Sequence, residues 1–437
     1  MAKKKQVTAI IVGAGHRSLC YAGYSKHHPD KLKIVGVADP SEHRRKHTAE
    51  IYGLTEKQCF KSAEELAKKP KQADCIINGT MDIQHVPTSI PLLKRGYDIL
   101  LEKPFATNEK EMWELYDTAV KYKRRVMICH VLRYVPFLTK VRELIAAGEI
   151  GEVMNIQTVE HVSYHHMGIG FVRGKWNRED VCKSTMLMSK CCHDLDMITW
   201  MKSGIAPKRV SSFGSNMYFN NQKMPKGAGT RCLVDCEIEP KCDYSAKKHY
   251  LDHPGRWSAY VWAGIEHLKN PSFMDRVKHL NNSNFGKCMW RCDNNTVDHQ
   301  TVMIEFTDGC TASHNMVGGA AMPSRSIHLL GTHGEIQGVL HENKFVVRHI
   351  DHRPGYETKE RVVDLKNEGN LDGAFGGHGG GDLRLAADFV NVMSGEKPSI
   401  SYTGIEDSVY GHLTGFLADK ARRENSVIDF PKLGVKK

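Results

Sequence analysis

Short apolar runs separated by amphipathic stretches organise the first 130 residues. Val7-Thr8-Ala9-Ile10-Ile11-Val12 is apolar at every position but one, as a strand buried on both faces requires. Leu32 to Ala38, Ala73 to Asn78, Tyr97 to Leu101 and Arg125 to Cys129 repeat that pattern. Between them, a helix opens at His16, a second runs from Asp82 to His85 on toward Gly96, and a third covers Asn108 through Lys123. Strands alternating with helices predict an α/β unit on a parallel sheet over residues 1–130.

The pattern then changes. A helix from Pro136 to Ala147 leads into strands rich in β-branched residues: Met154 to His161, Gln300 to Phe306, Cys310 to Val317, Ser326 to Leu330 and Lys344 to His349. This predicts an α+β domain with an antiparallel sheet over 131–437. An insertion at about 211–298 separates its early and late strands. No internal repeat is evident.

With 437 residues, the chain can form two domains, and its 41% hydrophobic and 25% charged residues are ordinary for a soluble protein. No eighteen-residue apolar run is present, so no membrane span is expected. Met1-Ala2-Lys3-Lys4-Lys5 abuts the first strand, leaving no apolar signal segment there, which points to the cytoplasm. The net charge of +11 is scattered among acids. It can help attract an anionic cofactor, but there is no basic stripe with interleaved aromatics, and nucleic-acid binding is not expected.

The chemistry begins at Gly13-Ala14-Gly15-His16-Arg17-Ser18, between the first strand and the helix it opens. This is G-x-G-x-x-G with a serine in the third place. The glycines allow a tight turn and close approach to a pyrophosphate, which then faces the helix N-terminus. Ser18 is small enough for the helix–strand packing that the third place serves. Asp39 follows the second strand about twenty residues on, where a carboxylate grips a ribose 2′-hydroxyl. Asp39 favours NAD; Arg44 and Arg45 could instead hold the 2′-phosphate of NADP.

Ligands of an open α/β sheet bind beyond the carboxyl ends of its strands. Thr80, His85, Lys103, His130 and Arg133 stand at such ends. Glu102-Lys103-Pro104 puts a lysine where a nicotinamide ring would lie. Beside a cationic ring and low-dielectric walls, a lysine can pass protons near neutral pH, which suggests hydride transfer coupled to proton transfer. The candidate cofactor residues are thus Gly13, Gly15, His16, Arg17, Ser18, Asp39, Arg44, Thr80, His85, Glu102, Lys103 and Arg133.

A second constellation is Lys190-Cys191-Cys192-His193-Asp194-Leu195-Asp196. On a helix, Lys190 and His193 share a face and can bind a sugar hydroxyl and move its proton. The bland alternative is a core histidine satisfied by Asp196. The glycine-rich turn before the helix from Leu383 to Met393 carries His378, which could reach a ligand. Among thirteen cysteines, Cys232, Cys236 and Cys242 lie in a polar, turn-rich segment, with Cys288 and Cys292 further on. Three or four thiolates, Cys288 included, could hold a structural zinc; free packed thiols are the alternative.

These motifs, in this order, resemble the Gfo/Idh/MocA family of glucose-fructose oxidoreductase and inositol dehydrogenase. The resemblance covers nearly the whole chain. It implies a Rossmann domain followed by a domain with a large open, mostly antiparallel sheet, which often forms an oligomer interface, here a homodimer or homotetramer. Lys103 matches the family's catalytic lysine and His193 its catalytic histidine. Many members carry an aspartate four residues before this histidine. Ser189 stands there, so an aspartate-assisted proton relay is not implied. The Lys190-to-Asp194 sequence, Phe171-Val172-Arg173-Gly174 and the cysteine-bearing insertion look more like members that oxidise glycosides or related sugars. The expectation is an NAD-dependent oxidation of a pyranose hydroxyl, with C3 as a candidate position. Tyr164, His165, Arg173, Lys190, His193 and His378 are the expected substrate contacts. A glycoside hydrolase using NAD transiently and a non-catalytic NAD-sensing regulator share the scaffold.

Overall fold

The computed structural model describes residues 6–253, 257–365 and 380–431. His378 lies outside them. The first sheet comprises β1 (Val7–Val12), β2 (Leu32–Ala38), β3 (Cys59–Phe60), β4 (Cys75–Asn78), β5 (Asp98–Leu101) and β6 (Val126–Ile128). Their order is β3-β2-β1-β4-β5-β6, parallel throughout. The order reverses between β1 and β4, and the crevice there is where such sheets bind ligands.

Helices α1 (His16–Ala22), α2 (His85–Lys94) and α3 (Glu109–Lys121) follow β1, β4 and β5. The start of α3 is set by Asn108, whose side chain accepts from the Glu111 N–H at 3.0 Å. All six strands fall in the first 130 residues, but part of their cover does not. Leu385, Ala386, Phe389 and Val390 of the helix Gly381–Met393 pack in one cluster with Ile11, Ile34 and Tyr21. Near the C-terminus, Thr403 also accepts from the Ile128 N–H at 2.8 Å.

The second sheet has nine strands: β7 (Val153–Ser163), β8 (Pro207–Ser215), β9 (His299–Phe306), β10 (Thr311–Ala320), β11 (Ser324–Gly331), β12 (Gly334–Val339), β13 (Lys344–Ile350), β14 (Thr358–Asp364) and β15 (Ile428–Asp429). Their order is β14-β13-β12-β11-β7-β10-β9-β8-β15. Only the β7–β10 pair is parallel. Alternation along β9 buries Gln300, Val302, Ile304 and Phe306. The helices Met186–Met201 and Ile405–Glu424 pack on each other and against the sheet. Phe213 and Met303 remain 69% and 56% exposed.

The insertion begins later than expected, because residues 211–215 finish β8. Its small core joins Cys232, Ala246, Tyr250, Val261 and Leu280 to Ile169 of the main body. Among the described residues, no helix is long and apolar enough to cross a membrane.

Candidate active site

The glycine turn after β1 is built by close contact. Gly13 has φ +74°, and a Cβ there would lie 2.8 Å from Thr80 Cα. Ser18 is fully buried, and its Oγ would be 2.3 Å from a Cβ on Gly79. The third place of the motif thus packs α1 onto the loop after β4. At the end of β2, the Asp39 carboxylate accepts from the Ala14 N–H at 2.7 Å and the Ser41 N–H at 2.8 Å. The Arg44 guanidinium lies over the same turn, 3.9 Å from where a Cβ on Gly15 would be. These features fit a dinucleotide: an open backbone for the pyrophosphate, with a carboxylate and a cation beside the ribose.

Beyond β5, Glu102 is buried and accepts from Arg17 Nε (2.8 Å), Tyr21 Oη (2.6 Å) and the Lys103 N–H (2.7 Å). Burial pushes its carboxyl up, but Arg17 and Lys103 prevail and hold it at about 2. Arg17 also reaches Asp382 at 2.6 Å. The side chains of Arg17 and Glu102, expected at the cofactor, are therefore committed to each other and to the fold. The His85 side chain is also engaged within the fold. Its ring nitrogens lie 2.7 Å from the Pro104 carbonyl and 3.1 Å from the Thr80 carbonyl, tying the lysine loop to the Thr80 loop. Thr80 bonds the Asn78 side chain at 2.9 Å, and His16 faces Tyr260 of the insertion, with ring centroids 6.5 Å apart.

The Lys103–Pro104 peptide is cis. Lys103 Nζ donates to the Ser189 carbonyl at 2.8 Å, one helical turn before His193. The two predicted catalytic residues are thus brought to the same stretch of the helix Met186–Met201. His193 meets His130 edge-on, with centroids 5.7 Å apart. Asp196 is occupied by Arg133, which grips its oxygens at 2.7 and 2.6 Å and donates to the Tyr402 carbonyl at 3.0 Å. Arg133, expected at the cofactor, is therefore an anchor for this helix.

Lys190 is held by Glu160 at 2.9 Å, and its side chain is 16% exposed. Arg325 bridges Glu160 and Asp194 at 2.7 and 2.9 Å. Arg173, expected at the substrate, has its guanidinium taken up within the fold. It is buried and donates to the Lys287 carbonyl (2.7 Å), the Tyr244 carbonyl (2.9 Å) and Tyr250 Oη (3.2 Å), clamping the insertion to the main body. Tyr164 and His165 pack on the insertion's aromatic rings, with centroids 5.3 and 5.1 Å from that of His249.

The neighbouring His166 is the one that sequence reasoning missed. It stacks on Trp257, with centroids 4.3 Å apart. Burial and the charges of Lys190 and Lys103 hold its pKa well below the ordinary histidine value. Since β7 ends at Ser163 and turns into a short helix, strand alternation no longer tells which histidine faces the cleft. Lys175, over the Trp176 ring at 4.2 Å, and Tyr260 complete this wall.

The expected zinc ligands Cys232, Cys236, Cys242 and Cys288 fall in one neighbourhood, since the Cys242 and Cys288 thiols each feel Cys232 and Cys236. They do not close into a metal centre. Burial raises the pKa of the Cys242 and Cys288 thiols, and Arg173 donates to Cys232 Sγ at 3.4 Å. Among the described residues, the ligand atoms that gather within 4.8 Å of one another are those of Cys191, Asp194 and His314. Asp194 is already paired with Arg325 there. The four cysteines do not fit the convergent tetrahedral set that zinc requires.

Buried histidines give the fold a definite pH response. Burial holds His130, His314 and His412 below their ordinary value, and all three are fully buried. The unfolded chain takes up protons near pH 6.5 that the folded chain refuses, so stability falls as pH drops through that value, by about 1.4 kcal/mol per pH unit for each group. The urea midpoint should therefore be lower at pH 5.5 than at pH 7.5. An unchanged or higher midpoint would contradict this.

The comparisons with known proteins agree with this fold. The family described as "Oxidoreductase family, NAD-binding Rossmann fold" matches residues 7–130, and the "GFO/IDH/MocA C-terminal domain" matches 138–237. YteT of Bacillus subtilis (strain 168) is 24% identical over 383 residues, 82% of this chain and 84% of its own. Inositol 2-dehydrogenase of Corynebacterium glutamicum (strain R) is 22% identical over 54% of this chain and 64% of its own. In fold, the chain is similar to a levoglucosan dehydrogenase solved with NADH, with TM-score 0.70, 16% identity and 98% and 100% of the two chains covered. It is also similar to the WlbA dehydrogenase from Bordetella pertussis solved with NADH and UDP-GlcNAcA, with TM-score 0.67, 14% identity and 99% of each chain covered. With its Rossmann and C-terminal matches together spanning just over half of its length, the chain belongs to the Gfo/Idh/MocA family of NAD(P)-dependent oxidoreductases.

Proposed function

We propose that the protein oxidises a hydroxyl of a pyranose, free or in a glycoside, to a keto-sugar, with C3 as the candidate position. The observation that carries this is the meeting of Lys103 Nζ with the helix turn that leads to His193, beside the crevice at the first sheet's reversal. Bound NAD supplies the hydride acceptor. Lys103 or His193 takes the hydroxyl proton as the carbon gives up its hydride. Lys190, steadied by Glu160, and His166 offer polar contacts to neighbouring hydroxyls. Trp257 offers a flat apolar surface to a sugar face. The dehydrogenases of inositol and levoglucosan among the relatives support a polyol or sugar substrate. A cytoplasmic setting suits the thirteen free cysteines. The open face around Phe213 and Met303 suits packing against a second copy.

The test is a panel of glycosides and free pyranoses, following NADH absorbance and sugar release together. Oxidation with net NADH formation supports the proposal. Glycoside cleavage that needs NAD but accumulates no NADH would replace it with redox-assisted hydrolysis. Binding of NAD with no reaction across the panel would leave a sensor.

NAD should be preferred over NADP. The Asp39 carboxylate beside the glycine turn can accept from the ribose hydroxyls and repels a 2′-phosphate. Asp39→Ala should reduce the NAD preference at least about tenfold, the scale of lost charge-assisted hydrogen bonds. Tighter NADP binding by the unaltered protein would refute this.

A further inference from the structure

The insertion reaches the cofactor site at a point that bears on cofactor choice. Arg44 lies in the first turn of the helix Glu42–Tyr52, directly after the Asp39 corner. Its Nε donates to Glu266 Oε1 at 2.9 Å, a pair joining residues 222 positions apart. Its guanidinium stands 3.9 Å from the place of a Gly15 Cβ, over the turn that would receive the pyrophosphate and adenosine ribose. The His16–Tyr260 contact anchors the same part of the insertion to that turn. Arg45 is turned away, donating to the Asp39 and Pro40 carbonyls at 2.6 and 2.9 Å.

We infer that Glu266 is a second specificity residue, which rejects NADP by holding Arg44 in an ion pair. A free arginine here would be a bidentate partner for a 2′-phosphate. Bound to Glu266, its charge is neutralised, and an incoming phosphate meets the Asp39 and Glu266 carboxylates together. The side chains of Arg44 and Glu266 are 36% and 39% exposed. An ion pair so exposed adds little to stability, so it can be removed without harm to the fold.

This inference rests on the NAD reading above, and a binding measurement separates the two. NADH and NADPH are titrated by cofactor fluorescence against the unaltered protein, E266Q, R44A and the double variant, at one fixed salt concentration and without sugar. E266Q should tighten NADPH about tenfold and leave NADH within about twofold, on the scale of one charge-assisted contact released. On the R44A background, the same Glu266 change should give little gain, because the effect runs through Arg44. An unaltered protein that prefers NADPH would refute the Asp39 reading. A normal NADH preference with no NADPH gain in E266Q, or an equal gain without Arg44, would overturn this inference alone.

Discussion

Lys103→Ala should cut turnover by about a hundredfold or more, the usual scale for a lost general acid or base. The lysine stands at the carboxyl end of β5, and its side-chain nitrogen is fixed on the Ser189 carbonyl at 2.8 Å. That carbonyl lies inside a helix and has its own intrahelical donor, so removing Lys103 strands no buried group. The fold and NAD affinity should persist while the proton loses its acceptor. Steady-state turnover alongside a cofactor titration checks this. Turnover within about threefold of the unaltered enzyme would remove the lysine from the mechanism.

Asp196→Ala should destabilise the protein by about 3–5 kcal/mol, because it leaves the Arg133 guanidinium buried and uncompensated. Arg133 and Asp196 are 2% and 1% exposed. Burial raises the Asp196 pKa even against Arg133. The pair also pins the helix that carries His193, so turnover should fall as well. Urea unfolding would measure the loss, and a change below about 1 kcal/mol would contradict the anchoring role. Replacing both partners with apolar residues should cost much less than replacing one.

The sequence showed most where a residue's job is local. Gly13, Ser18 and Asp39 act within one strand–turn–helix unit, and their spacing states their places. Lys103 and His193 stand out in sequence because each ends or lines a single element, and the structure brings them to one stretch of helix. Charged residues at strand ends were harder. Arg17, His85 and Arg133 look like ligands in sequence, but their partners, such as Asp382 and Asp196, lie far along the chain. No local pattern announces such pairing. Strands β8 and β14 escaped notice for a related reason. The first opens on Pro207-Lys208-Arg209, and the second is exposed at nearly every position, since it lies at a sheet edge. The placing of Trp257 and Tyr260 in the wall, and of Glu266 on Arg44, depends on where the insertion docks, which its own composition does not encode.

The most direct test of pyranose oxidation follows the hydrogen itself. A pyranoside that the enzyme consumes, deuterated at its C3 carbon, is incubated with the enzyme and excess NAD, and both products are analysed by mass spectrometry. One deuterium in each NADH formed, in step with a 3-keto-sugar, is the expected result. Sugar consumed with no deuterium reaching the cofactor, or released with its deuterium still at C3, would contradict net oxidation at that carbon.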